Sequence, residues 1–444
     1  MYFSPFTVIA GVNAAGKSNL FDALALLSEL ASGNSILKVL SSQRGEMNEL
    51  FTLFDNGKRA KEISFVVEML VNPIVTDEWN QSNNVSVTRL RYEITLRHVG
   101  VDNVAIIRES LSPIRKKDDQ WAKYLKYLPK ETGLHWRPAM KGTRQKPFLS
   151  FNFDESLTVS IYDNNEGKTD NMIASGSHLT FISRFSKCDT PHLLAARMEM
   201  MSWRFLHLNP DDLRTPSFKS ESMFDLDSTG KNLAATLNRL KKEDEYNLVI
   251  ISQLIRKFIP DYIAINVKEE LDGSRYVLYV KDRRGEEYTS RVLSEGTLRI
   301  IALCVLAADN HHSGLLCFEE PENGIHPMRL KVMASLMEQL SSDFMNTELK
   351  LRQVIVNTHS PRFVEEVFKL RNQYCTVVLT RRVTSIINES EEKKMLQSTR
   401  MTPIVSDGEF VYPLASLYST QDLKLTRQEM MRYLNKTTLT DILG

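Results

Sequence analysis

IAGVNAAGKSNLFDAL, residues 9–24, is the stretch whose reading decides the fold. Gly11, Val12, Asn13, Ala14, Ala15, Gly16, Lys17 and Ser18 spell GxxxxGKS. The apolar FTVIA before it (residues 6–10) reads as a short buried parallel strand. NLFDALALLSEL after it (residues 19–30) sets Leu20, Ala23, Leu24 and Leu27 at helical spacing. A GxxxxGKS between a strand and a helix is the context of a phosphate-cradling loop. Glycines let backbone N–H groups approach phosphate, and the helix N-terminus adds partial positive charge. Lys17 is placed for the β- and γ-phosphates, and the Ser18 hydroxyl for Mg²⁺. The binding candidates are Gly11, Asn13, Ala14, Ala15, Gly16, Lys17, Ser18 and Asn19.

Such a loop needs acids elsewhere for the metal and the attacking water. GLLCFEEPENGIHP, residues 314–327, offers an apolar strand ending in Glu319 and Glu320. In an open parallel sheet, ligand-facing residues lie at the carboxyl ends of strands. Glu319 is expected to hold Mg²⁺, directly or through water, and Glu320 to polarise the water. VIVNTHSP, residues 354–361, is a second strand that ends in polar groups. His359 there is suited to a γ-phosphate or the catalytic water, although a lone histidine after a strand is more often structural. LSEGT, residues 293–297, precedes a strongly apolar helix. Ser294 is suited to cap it and Gly296 to permit close backbone approach.

The order of these four motifs is that of ABC-type ATPases. The chain resembles the SMC/RecF/OLD branch of that family, and within it the prokaryotic AAA-type ATPases with EEPENGIHP and THSP signatures. The resemblance runs from Phe6 to about Val367. It implies an α/β P-loop NTPase with an ABC-type head, in which a mixed central sheet carries an antiparallel β lobe and a helical insertion. It implies Lys17, Glu320 and His359 as catalytic residues, with Ser18 and Glu319 at the metal. It also implies that Ser294 and Gly296 reach the ATP of a sister subunit, so that two heads close on Mg·ATP. The chain departs from the family in three places. Glu295 and Thr297 stand where transporters usually have Gly and Gln, and Glu319 replaces an Asp. No Q-loop glutamine is evident beyond Gln43. Little precedes Phe6, which leaves open a missing edge strand with its adenine contacts, or a start assigned too late.

Composition bounds the rest. The chain has 444 residues, 42% hydrophobic and 25% charged, with net charge +1. That suits a soluble protein of two to three domains, or one large α/β domain carrying insertions, with no global field toward nucleic acid or membrane. Four cysteines without a CxxC pair suggest a reducing compartment. No apolar run is long enough to span a bilayer and no signal peptide is evident, so a cytoplasmic address is expected.

The reading divides the chain into five parts. Residues 1–60 carry the phosphate loop, and residues 61–190 an antiparallel β lobe. Residues 191–290 form a helical and β insertion, residues 291–375 the rest of the ATPase core, and residues 376–444 a C-terminal extension. KEISFVVEMLV, RYEITLRHV, VAIIRESLSP, LTVSIYD and RYVLYVKD read as strands of the lobe. Residues 232–260 read as two helices rather than a long coiled coil. Residues 113–148 hold ten Lys/Arg against three acids, interleaved with Trp121, Tyr124, Tyr127 and Trp136. This composition suits DNA or RNA contacts and base stacking. A solvated basic insertion whose aromatics pack on a neighbouring lobe or a partner subunit is the preferred reading. No TOPRIM nuclease signature follows His359.

Three functions therefore stand side by side. The first is an ATP-driven switch, at least a head-to-head dimer, that controls a nucleic acid or a separate effector such as a nuclease or toxin, in bacterial phage defence. The second is a RecF-like repair clamp on DNA. The third is a nucleotide-gated scaffold with little hydrolysis.

Overall fold

The computed structural model describes residues 1–100, 103–123, 128–138, 146–153, 155–163, 170–173, 178–223, 225–347, 351–370, 374–389, 392–405 and 414–435. Among them the central sheet has six strands. Their order is Arg204–Leu206, Gly314–Glu319, Arg352–Thr358, Phe6–Ala10, Cys375–Glu389 and Glu392–Pro403. The first five run parallel, and the sixth returns antiparallel as a hairpin.

Alternation along these strands builds two cores. Phe6, Val8, Leu316, Phe318, Val354 and Val356 point to one face, where they meet the helices Leu233–Glu243, Tyr246–Phe258, Glu295–Ala308, Leu330–Leu340 and Pro361–Phe368. Ile9, Leu315, Cys317 and Ile355 point to the other, where they meet Lys17–Ala31, Pro191–Met201 and the β lobe. A sheet buried on both faces needs apolar residues at both parities, which is why its strands read as continuous apolar runs. The helix Glu295–Ala308 is buried almost all round from Leu298 onward, as its uniform apolarity requires.

The β lobe is an antiparallel sheet in the order Glu62–Leu70, Arg89–Gly100, Asn103–Pro113, Leu149–Asn152, Ser156–Ile161 and Asp170–Ile173. Residues 232–260 form two helices, Leu233–Glu243 and Tyr246–Phe258. The fold is that of an α/β P-loop NTPase head, with a mixed sheet, an antiparallel lobe and a helical insertion.

Several placements differ from the sequence expectation. The strand Arg275–Asp282, expected in the lobe, lies in a separate sheet with Ser217–Phe218, Tyr262–Glu269 and Glu287–Thr289. Its alternation gives a half-exposed strand but not its partners. Arg204–Leu206 falls in the expected insertion and Cys375–Glu389 at the expected extension, yet both lie in the central sheet. Parallel strands pair across long crossovers, so chain order does not reveal their neighbours.

Among the described residues of the basic segment, the two tryptophans are packed rather than open. Trp121 is 8% exposed and Trp136 1%, and they join Phe344, Leu351 and Leu414 in a small cluster. The Trp136 indole N–H donates to the Phe344 carbonyl at 2.8 Å. Buried Asp119 holds Arg89 at 3.3 Å and Arg137 at 2.7 Å. These two tryptophans therefore offer no face to a base, which corrects the stacking alternative. Tyr124 and Tyr127 lie outside the described residues.

Candidate nucleotide-binding site

The loop begins where the strand Phe6–Ala10 ends. A Cβ on Gly11 would lie 2.8 Å from the Thr380 carbonyl, and one on Gly16 would overlap the Thr399 hydroxyl. Ala14 has a φ of 61° and Gly16 of 88°, so the turn is left-handed at both. That conformation costs an alanine about 1 kcal/mol or more. Gly16 caps the helix Lys17–Ala31 without a side-chain bond, and no acid occupies the first turn. Its leading N–H groups are left for an anion.

Lys17 is nearly buried and folds over its own loop. Its Nζ donates to the Gly11 carbonyl at 2.8 Å and the Val12 carbonyl at 3.0 Å. Burial pulls its pKa down, partly offset by Glu320 and Glu322. An ammonium held only by carbonyls is a cation that a phosphate can recruit. A cavity of about 540 Å³ opens over the loop, lined by Asn13, Ala14, Gly16, Lys17, Ser18, Asn19, Glu320 and Asn357. Ser18 also lines an adjoining cavity of about 180 Å³ with His207, Glu319, Glu320 and Asn357.

The two acids sit at the carboxyl end of one strand, beside the end of its parallel neighbour. Glu319 ends Gly314–Glu319 and pairs in register with Asn357. Glu320 follows at a φ of 46°, strained for a residue with a side chain. Its N–H donates to the Asn357 carbonyl at 2.8 Å. The Asn323 amide donates to its Oε2 at 2.9 Å, and His359 Nδ1 lies 2.8 Å from its Oε1. Burial pushes the Glu320 carboxyl up. The bonds from Asn323 and His359 and the nearness of Lys17 outweigh it, and hold the group below the ordinary glutamate range. It is a carboxylate at neutral pH, with its lone pairs directed by two neighbours.

Three residues here escaped the sequence reading. His207 follows the short strand Arg204–Leu206, whose last residue pairs with Phe318, and its Nδ1 lies 3.7 Å from Glu319. A three-residue strand carries no readable period. The Asn357 side-chain oxygen is buried without a partner between the two cavities. Glu322 is buried against the Thr358 hydroxyl, with its carboxyl pushed up by burial. Gln43 bonds to the Val39 carbonyl at 3.1 Å and lines neither cavity.

Residues 6–72 and 144–365, more than half of the chain, match the family described as "AAA domain, putative AbiEii toxin, Type IV TA system". The chain belongs to this family. It therefore carries an AAA-type, nucleotide-binding ATPase domain. No curated protein matches it. Among solved structures, an Smc head bound to the C-winged helix domain of ScpA is 12% identical, with 90% of this chain and 92% of that chain covered and a TM-score of 0.47. An Smc head with an extended coiled coil, bound to the C-terminal domain of ScpA and derived from Pyrococcus furiosus, is 13% identical over 90% and 92%, with a TM-score of 0.39. The SMC head from Thermotoga maritima is 11% identical over 91% and 93%, with a TM-score of 0.37.

In this AAA-family chain the signature residues stand apart from the loop. The Ser294 hydroxyl accepts from the Thr297 N–H and caps the helix, while Ser294 and Gly296 line neither cavity. A Cβ on Gly296 would overlap the Gly324 carbonyl, and Arg299 donates to the Asn323 carbonyl at 2.7 Å. Gly296 thus lets the helix start press against the turn that follows Glu320. No described helix is long and apolar enough to cross a membrane.

Proposed function

We propose that the chain binds Mg·ATP over the loop of residues 11–19 and hydrolyses it. The observation that carries this reading is the Glu320 carboxylate. It is bonded to Asn323 and His359 and faces the cavity that also holds Lys17 and Ser18. In this reading Lys17 leaves the Gly11 and Val12 carbonyls for the β- and γ-phosphates. Glu320 takes a proton from the attacking water as the β–γ bridging bond breaks, and His359 fixes the carboxylate and the water. The donor set fits Mg²⁺: Ser18, Glu319 and the orphaned Asn357 oxygen are hard oxygen donors beside the phosphate position. When bound, that ion neutralises charge developing on the phosphate oxygens.

Two chains close head to head in this proposal, each lending Ser294 and Gly296 to the other's ATP. The separation of Ser294 from its own loop supports it. The assembly then acts as a switch on a separate effector protein, a nuclease or toxin, in phage defence. The family description, which names a toxin and a toxin–antitoxin system, supports that setting. A mixing experiment tests the shared site. Lys17→Ala and Ser294→Arg chains should each be inactive alone. In an equimolar mixture about half of the dimers are mixed, each with one intact composite site of two, so turnover should recover up to about a quarter of wild type. Mixtures that stay at the level of the single variants would rule the shared site out.

A further inference from the structure

The wall of the larger cavity opposite the acids comes from a segment with no assigned role. Arg382, Gln397, Ser398 and Thr399 complete its lining, and all four lie on the hairpin formed by Cys375–Glu389 and Glu392–Pro403. Arg382 pairs in register with Thr399, and Thr384 with Gln397. Directly opposed residues of an antiparallel pair share a face, so Arg382, Thr384, Gln397 and Thr399 stand together. Neighbouring Arg381 and Arg400 stand on the opposite face. They are bound there by the helix Thr420–Leu434, with Asp422 at 3.4 Å and 3.1 Å and Glu429 at 3.6 Å from Arg381. The hairpin thus sorts its arginines: one face is neutralised by a helix, while Arg382 faces the cavity with no ion pair among the described residues.

The hairpin is fixed against the loop. The Thr399 hydroxyl donates to the Ala15 carbonyl at 3.2 Å, the Asp55 N–H donates to the Met395 carbonyl at 3.1 Å, and the Met395 N–H donates to the Asp55 carboxylate at 3.2 Å. Sheet order then sets the direction of a bound nucleotide. The acids end the second strand of the order given above, the loop leaves the fourth, and the hairpin supplies the fifth and sixth. A triphosphate with its γ end beside Glu320 and its length along the loop carries its α-phosphate and nucleoside toward the hairpin.

We propose that this hairpin is the nucleoside-side wall of the site, with the Arg382 guanidinium binding the α-phosphate and Gln397 facing the sugar and base. The inference rests on the ATP-binding reading above and deepens it. An arginine suits the task because its planar fork pairs with two phosphate oxygens.

Equilibrium binding of ATP and ADP to the wild type, Lys17→Ala, Arg382→Ala and Arg382→Lys tests it, together with steady-state hydrolysis. Arg382 is exposed, so its replacement leaves the core intact. The Arg382→Ala chain should lose affinity for ATP and ADP by the same factor, about tenfold or more. KM should rise with kcat nearly unchanged, and Arg382→Lys should recover part of the loss. Equal affinities in Arg382→Ala and wild type, beside a clear loss in Lys17→Ala, would overturn this inference and leave the ATP reading standing. A loss confined to ATP, or a fall in kcat, would move Arg382 to the γ-phosphate and also overturn it. No nucleotide binding by the wild type would overturn both readings.

Discussion

His359 Nδ1 lies 2.8 Å from the Glu320 carboxylate, although 39 positions separate them in the chain. The contact exists because Gly314–Glu319 and Arg352–Thr358 are parallel neighbours that end at the same level. With Nδ1 donating, the imidazole fixes one carboxylate oxygen while Asn323 fixes the other. Replacing His359 by Ala should therefore lower turnover by roughly 10- to 100-fold with ATP affinity nearly unchanged. Steady-state phosphate release, paired with equilibrium binding, checks this. An equal loss of affinity and turnover would place His359 at ground-state binding instead.

Gly296 meets the backbone of Gly324. Adding a methyl group must push the helix start away from the turn at residues 321–325. Gly296→Ala should cost about 1–3 kcal/mol and reduce turnover, because Asn323 in that turn holds Glu320. Denaturant unfolding and phosphate release on the same variant measure both effects.

Gly16 carries two constraints, a φ of 88° and contact with Thr399. Gly16→Ala should lower stability by about 2 kcal/mol or more and abolish ATP binding. Adding Thr399→Ala should restore part of the stability, since it removes the overlap but not the backbone cost. Thermal melts of the single and double variants separate the two contributions. Full recovery in the double variant would mean that the backbone conformation costs nothing.

Glu109 gives a pH dependence remote from the site. It is fully buried, bonded to the Tyr92 hydroxyl and to the Phe181 and Ile182 N–H groups, and burial raises its pKa to about 7. Its unfolded value is near 4.5. Between those values the folded chain keeps a proton that the unfolded chain has released, so stability should fall as pH rises from about 4.5 to about 7 and then level. Glu109→Gln should flatten this slope, at the cost of one lost acceptor at every pH. Denaturant midpoints from pH 5 to 8 read the slope directly.

The legible parts of the molecule were those in which local pattern and chemistry coincide. Residues 6–24 announce strand, loop and helix within one short segment. Residues 314–327 and 352–361 each show an apolar strand ending in polar groups. What stayed hidden depends on pairing between distant segments. Nothing near His207 marks it as the neighbour of Glu319, because the parallel register that joins them is set by the whole sheet. The face of the hairpin that carries Arg382 could not be told from the face that carries Arg381 until a helix was seen to claim one of them. The tryptophans of the basic segment fitted a stacking platform as well as packing on a neighbouring lobe, because composition cannot tell an exposed ring from one buried against Phe344.

Glu320→Gln at saturating Mg·ATP is the most direct measurement. The substitution keeps size but removes the ability to take a proton, together with one of the two oxygens that accept from Asn323 and His359. Phosphate release should fall by about 100-fold or more, with ATP bound as tightly as by the wild type or more so. A variant that releases phosphate at the wild-type rate would contradict the role given to this carboxylate, and with it the reading of the site.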